Sequence, residues 1–178
     1  MIYEKHGGDN QKWKLVAVAQ EGKEAKSGTI EISESKTYQL KIDNKTIDSY
    51  GGVQKNMKIG DLVMYEARSD NNANQKFKFK YVAEKDAYII YNAATGLQLD
   101  VERSGVADGS KVIGFQDNGG YCNQLWKVEK DTKGYIIKSS CSGKLLSVSD
   151  VLFGGSPRIA IYSENIKFNQ VWTLSEAK

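Results

Sequence analysis

The sequence predicts an all-β domain in which three repeats of four short strands surround a pseudo-threefold axis. A signature of Asn-Gln, any residue and an aromatic occurs four times, at Asn10–Trp13, Asn74–Phe77, Asn123–Trp126 and Asn169–Trp172. Successive signatures begin 64, 49 and 46 residues apart, and the last two intervals approach the constant period of a repeat protein. One proline, 17 glycines and ten tyrosines favour strands joined by glycine turns over helices.

The first interval is longer because an additional segment precedes the three complete repeats. Residues 2–16 are predicted to form two strands around a Gly-Gly turn, the closing hairpin of a repeat without its first half. Residues 19–27 are polar and lack a pattern, which predicts a linker, and residues 29–32 are predicted as a short strand. We therefore expect an N-terminal extension, residues 1–35, followed by one domain, residues 36–178.

Each complete repeat contains short runs with the alternation or the β-branched content of strands. The runs are residues 37–42, 46–49, 62–65 and 76–80 in the first repeat, 87–91, 96–101 and 112–115 in the second, and 134–137, 143–148 and 159–162 in the third. The fourth strand of each repeat follows its Asn-Gln pair. Three such units bury their apolar faces only when they are stacked together, and closing the stack removes exposed strand edges.

The signature itself predicts structure before function. Its aromatic residue is expected to point into the shared core, and its Gln is expected to cap backbone groups at a loop, since buried polar groups need partners.

Composition excludes several classes of protein. The net charge is only +3 and the lysines are scattered, so the concentrated basic face of a nucleic-acid-binding protein is not expected. No run approaches the roughly 20 apolar residues of a membrane span, and no basic-then-apolar leader is visible. Cys122 and Cys141 lack the spacing of a metal site. A disulfide between them is allowed, but we expect two unpaired thiols.

No enzyme, cofactor or metal site is expected. The only histidine, His6, precedes the complete repeats, and the chain lacks the Gly-x-Ser-x-Gly motif of a nucleophilic serine. It also lacks a phosphate-binding glycine loop and a zinc pattern.

These motifs resemble the ricin B-type lectins, the carbohydrate-binding module type 13 group, whose β-trefoil domains carry one Gln-x-Trp in each repeat. The resemblance covers about residues 36–178, where motif, number and period agree. It implies a β-trefoil that binds carbohydrate without catalysis. The N-terminal hairpin is similar to the end of a preceding repeat, which favours a fragment of a tandem-trefoil protein over an extension that docks on the domain.

In this family a repeat can form a shallow sugar site from an Asp at the end of the second strand, an aromatic residue on the third strand and the Asn of the signature. A carboxylate accepts charge-assisted hydrogen bonds from adjacent hydroxyls. An aromatic face covers the apolar C–H surface of the sugar, and an amide both donates and accepts.

Carried over by repeat, the resemblance implies two sites. The first contains Asp48, Tyr65, Asn74 and Gln75, and the second contains Asp100, Phe115, Asn123 and Gln124. Asp100 stands in the family wording Leu-Gln-Leu-Asp-Val, whereas Asp48 stands in the divergent Thr-Ile-Asp-Ser. The alternative for either Asp is a strand-end carboxylate bonded to local backbone, and for either aromatic it is ordinary packing.

The third repeat and the N-terminal hairpin are not expected to bind sugar. In the third repeat Tyr162, Asn169 and Gln170 are present, but Ser147 replaces the Asp. In the hairpin the partnering Asp would precede Met1.

The resemblance implies galactose-like or other neutral glycans as ligands. It also implies a secreted or extracellular location within a larger toxin, adhesin or glycan-degrading enzyme with neighbouring domains. The alternative is a β-trefoil protein-interaction or structural domain whose sugar sites have decayed.

Overall fold

The computed structural model of the chain describes residues 32–69, 72–165 and 169–177. In chain order its strands are β1 (Tyr38–Ile42), β2 (Lys45–Ser49), β3 (Ile59–Glu66), β4 (Phe77–Val82), β5 (Ala87–Asn92), β6 (Gln98–Val101), β7 (Ser110–Phe115), β8 (Trp126–Asp131), β9 (Gly134–Ser139), β10 (Leu145–Phe153), β11 (Ser156–Tyr162) and β12 (Thr173–Glu176). Four strands thus fall in each predicted repeat. The predicted hairpin of residues 2–16, the linker and all but the last residue of the predicted strand 29–32 lie outside the described residues.

Six strands form a closed barrel. Antiparallel pairs join β12 to β1, β1 to β4, β4 to β5, β5 to β8 and β8 to β9. Tyr135 and Trp172 close the ring by exchanging two backbone hydrogen bonds of 2.8 Å. A Cβ at Gly134 would overlap the Trp172 carbonyl, so the closure requires glycine at this position.

The other six strands form three hairpins, β2–β3, β6–β7 and β10–β11, that cap one end of the barrel. Their inner strands β3, β7 and β11 pair with one another around the pseudo-threefold axis. A six-stranded barrel capped by three hairpins is the predicted all-β β-trefoil.

The aromatic residues of the three described signatures lie in the core, as predicted. Phe77, Trp126 and Trp172 are completely buried. The indole N–H groups of Trp126 and Trp172 donate 2.9 Å hydrogen bonds to the carbonyls of Leu99 and Leu146. Each Trp therefore ties the fourth strand of its repeat to the second. Phe77 occupies the corresponding position in the first repeat, but its side chain has no N–H group to donate a hydrogen bond.

The cap hairpin of the third repeat is longer than its sequence predicts. β10 and β11 extend to a turn at Gly154 and Gly155, and their register shifts between Val148 and Leu152. The irregular pairing interrupts the alternation of buried and exposed residues, and Val151 and Leu152 are 51% and 58% exposed. The sequence of this extension therefore lacks the alternation of apolar and polar residues that predicts a strand.

Cys122 and Cys141 form a disulfide, so the expectation of two unpaired thiols is wrong. They are 19 residues apart in sequence, but their Cα atoms are 5.0 Å apart. The reason is the β8–β9 pairing, in which Trp126 faces Ser139 and thereby brings the segments that flank the hairpin together. Within the described ranges, no helix is long and apolar enough to cross a membrane.

Candidate functional site

The three repeats place their candidate site residues at equivalent positions on the cap hairpins. Asp48, Asp100 and Ser147 face Val63, Ile113 and Ala160 on the neighbouring strand. The aromatic residues Tyr65, Phe115 and Tyr162 follow those facing residues by two positions. Because alternate residues of a strand point to the same side, carboxylate and aromatic share one face in the first two repeats.

The structure brings the second-repeat residues together in a cleft of about 430 Å³. Asp100, Phe115 and Asn123 line this cleft. Asp100 is only 3% exposed, and its Oδ2 accepts hydrogen bonds from Asn123 Nδ2 at 2.9 Å and from Gln124 Nε2 at 2.8 Å. Among the described residues, no hydrogen bond reaches its other oxygen, Oδ1, which is therefore available to a ligand in the cleft.

Gln124 holds the Asp100 carboxylate from beneath the cleft and is itself completely buried. Its amide also donates to the Gln116 carbonyl at 2.8 Å and accepts from the Asn118 N–H at 3.0 Å. The predicted loop-capping role is thus correct. Because Gln124 has no exposed surface, it orients the Asp100 carboxylate and does not itself line the cleft.

Gln75 has the same arrangement in the first repeat. It is completely buried and donates to Asp48 Oδ2 at 2.8 Å and to the Glu66 carbonyl at 2.9 Å, while it accepts from the Arg68 N–H at 2.9 Å. The oxygen of the signature Asn has a different partner in each of these repeats. Asn74 Oδ1 accepts from the Val53 N–H at 3.1 Å, and Asn123 Oδ1 accepts from Asn118 Nδ2 at 2.9 Å.

The first-repeat residues line a smaller cleft, of about 220 Å³. Asp48, Tyr65 and Asn74 all border it. Asp48 is buried, whereas Tyr65 is 48% exposed and offers its ring to solvent. Both predicted constellations are therefore assembled, each around a nearly buried carboxylate.

The pKa of each of the two carboxylates is raised from the ordinary value of an aspartate. Burial raises the pKa of Asp48, and hydrogen bonds from Gln75 and Asn74 and the charge of Arg68 oppose that rise. Burial likewise raises the pKa of Asp100, against the hydrogen bonds of Gln124 and Asn123, and the charge of Glu102 adds to the rise. A carboxylate kept desolvated at a cleft marks a functional-site candidate.

In the third repeat Tyr162 covers the position where the carboxylate would stand. Ser147 Oγ donates to the Leu145 carbonyl at 2.7 Å and accepts from Gln170 at 3.0 Å. Tyr162 faces Leu145, yet its hydroxyl is 3.1 Å from Ser149 Oγ, four residues farther along β10. The ring therefore spans the strand above Ser147.

Asn169 also departs from the arrangement in the other repeats. It lines a different cleft, together with Val148, Pro157, and Met64 and residues 42–45 of the first repeat. The structure thus does not bring Asn169 and Tyr162 together around Ser147.

Several cleft residues were not predicted from the sequence. In the second cleft they are Ile59, Glu102, Arg103, Ile113 and Asn118, and in the first they are Tyr50, Gly51, Val63 and Arg68. Ile59 belongs to the first repeat and reaches the second cleft because it faces Phe115, a pairing between repeats that local pattern does not reveal. Tyr50 follows Asp48 by two residues, so strand alternation could have identified it.

Over the described ranges, no group of three or more His, Cys, Asp or Glu residues could hold a metal ion. The polar side chains that line the two clefts carry carboxylate, amide, phenol and guanidinium groups, all of which form hydrogen bonds.

Comparison with solved structures gives similar folds. An exo-β-1,3-galactanase from Clostridium thermocellum is 30% identical with a TM-score of 0.68, over 82% of this chain and 31% of that chain. The designed threefold-symmetric protein ThreeFoil is 25% identical with a TM-score of 0.67, over 78% of this chain and 96% of that chain. A Polyporus squamosus lectin, bound to Neu5Acα2-6Galβ1-4GlcNAc, is 23% identical with a TM-score of 0.64, over 79% and 49%. The chain thus spans about half of that lectin and under a third of the galactanase.

Sequence comparison gives a family. No curated protein sequence matches the chain. The family model described as ricin-type β-trefoil lectin domain-like matches residues 9–115 and 73–151, which together exceed half of the chain. With its fold, its three described signatures and this match in agreement, the chain belongs to the ricin-type β-trefoil lectin-like domain family.

Proposed function

We propose that the chain is a non-catalytic carbohydrate-binding module with two sites for neutral, galactose-type glycans, one in the first repeat and one in the second. One observation carries the proposal. In both repeats a nearly buried carboxylate is held by the amide of a buried Gln and borders a cleft with an aromatic side chain.

The chemistry of the second cleft suits a sugar. The available Asp100 oxygen can accept charge-assisted hydrogen bonds from neighbouring hydroxyls. Phe115 and Ile59 supply apolar surface for the C–H face of the ring. Asn123 already donates to Asp100 and accepts from Asn118 at 2.9 Å, but its amide retains a second N–H and a second lone pair for a hydroxyl.

Neutral glycans are favoured over acidic ones because each cleft is centred on a carboxylate, which repels a ligand carboxylate when both are ionised. The galactose-type preference draws on the family resemblance. It also draws on the similarity at 30% identity to an exo-β-1,3-galactanase. We therefore take β-1,3-linked galacto-oligosaccharides as the first ligand class to test.

We further propose that residues 36–178 form one module of a larger secreted or extracellular protein, with residues 1–35 as an extension. The disulfide supports an oxidising compartment. The chain corresponds to 31% of the galactanase and, at 25% identity and a TM-score of 0.67, to 18% of a mosquitocidal holotoxin chain. Shallow single sites bind weakly, so two sites or neighbouring domains would act together through effective concentration.

The deciding experiment is a glycan-array screen at high protein concentration with the double variant D48A/D100A alongside. Wild-type binding that the double variant loses, with unchanged circular dichroism, supports the proposal. Ser147→Ala is the matched control, because it changes the equivalent third-repeat position and should retain binding. If folded wild-type protein binds none of the neutral galactosides and plant polysaccharides, the proposal is ruled out.

A second candidate is a protein-interaction domain with decayed sugar sites. The exposed side chains of Val151 and Leu152 at the tip of the third hairpin and the covered third repeat favour it. Under this reading Asp100→Ala would leave partner binding unchanged, whereas substituting the hairpin tip would weaken it.

A further inference from the structure

Tyr50 is a second aromatic residue in the first-repeat cleft. It lines the cleft with Asp48 and Tyr65 and is 43% exposed. Its N–H donates to the Asp61 carbonyl at 3.0 Å, which continues the β2–β3 ladder past Ser49. Because it follows Asp48 by two residues in this extended segment, its side chain lies on the same face.

The two tyrosines stand on opposite sides of the carboxylate. Tyr65 faces Thr46, which precedes Asp48 by two residues, while Tyr50 follows Asp48 by two. At about 3.3 Å per residue, their positions along the hairpin are about 13 Å apart. The cleft is therefore an elongated strip of aromatic, carboxylate and aromatic, longer than a single sugar ring.

The third-repeat hairpin holds Tyr50 in place. The ring of Phe153 packs against Tyr50 at a centroid distance of 5.0 Å and an interplanar angle of 72°. The Arg158 guanidinium lies over the Phe153 ring, 5.0 Å from its centroid. A Cβ at Gly154, where φ is +56°, would overlap the Tyr50 phenol. An aromatic surface that is ordered before binding loses little entropy when a ligand arrives.

The other two repeats lack this second aromatic. The equivalent residue in the second repeat is Glu102, two positions after Asp100, and in the third it is Ser149, which is bonded to Tyr162. Of the three described hairpin faces, the first alone carries an aromatic on both sides of a carboxylate.

We infer that the first-repeat site binds an oligosaccharide of at least two sugars, with Tyr50 covering the sugar next to the one held by Asp48 and Tyr65. The second-repeat cleft is larger in volume, but it has Glu102 at the position of Tyr50 and offers no second aromatic surface to a neighbouring sugar. The inference rests on the proposed function and adds the length of the ligand to it. The long third hairpin, which has no site of its own, packs against Tyr50 and so completes the site of the first repeat.

The test isolates one site at a time. Asp100→Ala leaves only the first site intact. This variant is titrated calorimetrically with galactose, β-1,3-galactobiose and β-1,3-galactotriose. Its affinity should rise roughly three- to tenfold from the monosaccharide to the disaccharide. Adding Tyr50→Ala should remove that gain, whereas Tyr50→Phe should retain it. The matched control is Asp48→Ala, which leaves the second site and should give no gain with length.

A second variant moves the Tyr50 ring instead of removing it, and circular dichroism checks that an alanine at this positive φ leaves the fold intact. Gly154→Ala displaces the Tyr50 ring without removing it and should also abolish the gain. Equal affinities for galactose and galactobiose in Asp100→Ala, or a gain that survives Tyr50→Ala, would overturn the inference while the proposed function stands. Loss of galactose binding along with the gain would make Tyr50 a support for Asp48 and would also overturn it. Absence of binding by the wild type to all three sugars would reject the proposed galactose-type function, and the inference with it.

Discussion

The amide of Gln124 donates a 2.8 Å hydrogen bond to the Asp100 carboxylate while its other bonds fasten the loop at Gln116 and Asn118. The residue that identifies the fold in the sequence is therefore also the residue that orients the carboxylate. Gln75 does the same for Asp48. The fold signature thus preserves the orientation of the carboxylate. At Ser147 the Asp is absent, yet Gln170 makes the equivalent hydrogen bond at 3.0 Å and the fold is kept.

The first prediction is that ionisation of the buried Asp100 carboxylate destabilises the folded protein at neutral pH. Burial raises its pKa, so the folded state binds more protons than the unfolded state between the two pKa values, and stability falls as pH rises through that window. Asp100→Asn should therefore be at least as stable as wild type at pH 7, and the difference should shrink or reverse on acidification. Urea denaturation at neutral and acidic pH measures this.

The same variant should lose binding. Replacing the ionised acceptor removes charge-assisted hydrogen bonds worth about 1.5–3 kcal/mol, so second-site affinity should fall at least about tenfold. Titration on an Asp48→Ala background isolates that site. An Asn variant that is clearly less stable at pH 7, or that binds sugar normally, would contradict this account.

The second prediction separates the two sites by their charged neighbours. The proposed sugar binding uses ionised carboxylates, so affinity should fall as acid protonates them. Because both pKa values are raised, the fall should occur at a higher pH than for an ordinary aspartate. Glu102→Gln removes a charge that raises the pKa of Asp100 and should move the loss to lower pH. Arg68→Gln removes a charge that lowers the pKa of Asp48 and should move the loss to higher pH.

Affinity against pH, measured for each substitution on a single-site background, checks the direction of both shifts. Each substitution should leave the other site's profile unchanged. Shifts in the same direction in both sites would mean that the substitutions act through the fold and not through local charge.

The third prediction concerns the buried glutamines. Gln124→Ala leaves the Gln116 carbonyl and Asn118 N–H without their partner, and should cost about 1–3 kcal/mol of unfolding free energy. It should also weaken sugar binding at the second site although Gln124 has no exposed surface, because the carboxylate loses its orienting amide. Gln170→Ala is the matched control, because it should lower stability in the same way and leave both sites intact. Equal binding by the two variants would contradict a positioning role for Gln124.

Local signals account for what the sequence predicted correctly. Strand alternation and glycine turns are properties of a few adjacent residues, so ten of the twelve described strands overlap a predicted run. The repeated signature located Trp126 and Trp172 in the core. Asp100, Phe115 and Asn123 were carried over from the family resemblance, whose site elements all lie within one repeat, and the three residues do line one cleft. The tip of the third hairpin was missed because a register shift interrupts its alternation.

What the sequence did not predict depends on pairing between distant segments. Cys122 and Cys141 meet only through the β8–β9 register. Ile59 enters the second cleft through its pairing with Phe115. The role of Tyr50 becomes visible only once Phe153 of another repeat packs beside it. Each of these contacts needs the closed fold before its partners can be identified.

The last prediction is that Ser147→Asp does not restore a third site. The new carboxylate would lie in a completely buried position beneath Tyr162, whose hydroxyl is bonded to Ser149, so it would have no oxygen facing a ligand. Desolvation of that charge should lower the unfolding free energy by about 1–3 kcal/mol at pH 7, with recovery on acidification as the group is protonated. Denaturation against pH and titration with galactose on a D48A/D100A background measure both effects. If this single substitution confers sugar binding, then the missing carboxylate, and not the covering tyrosine, is what prevents binding in the third repeat.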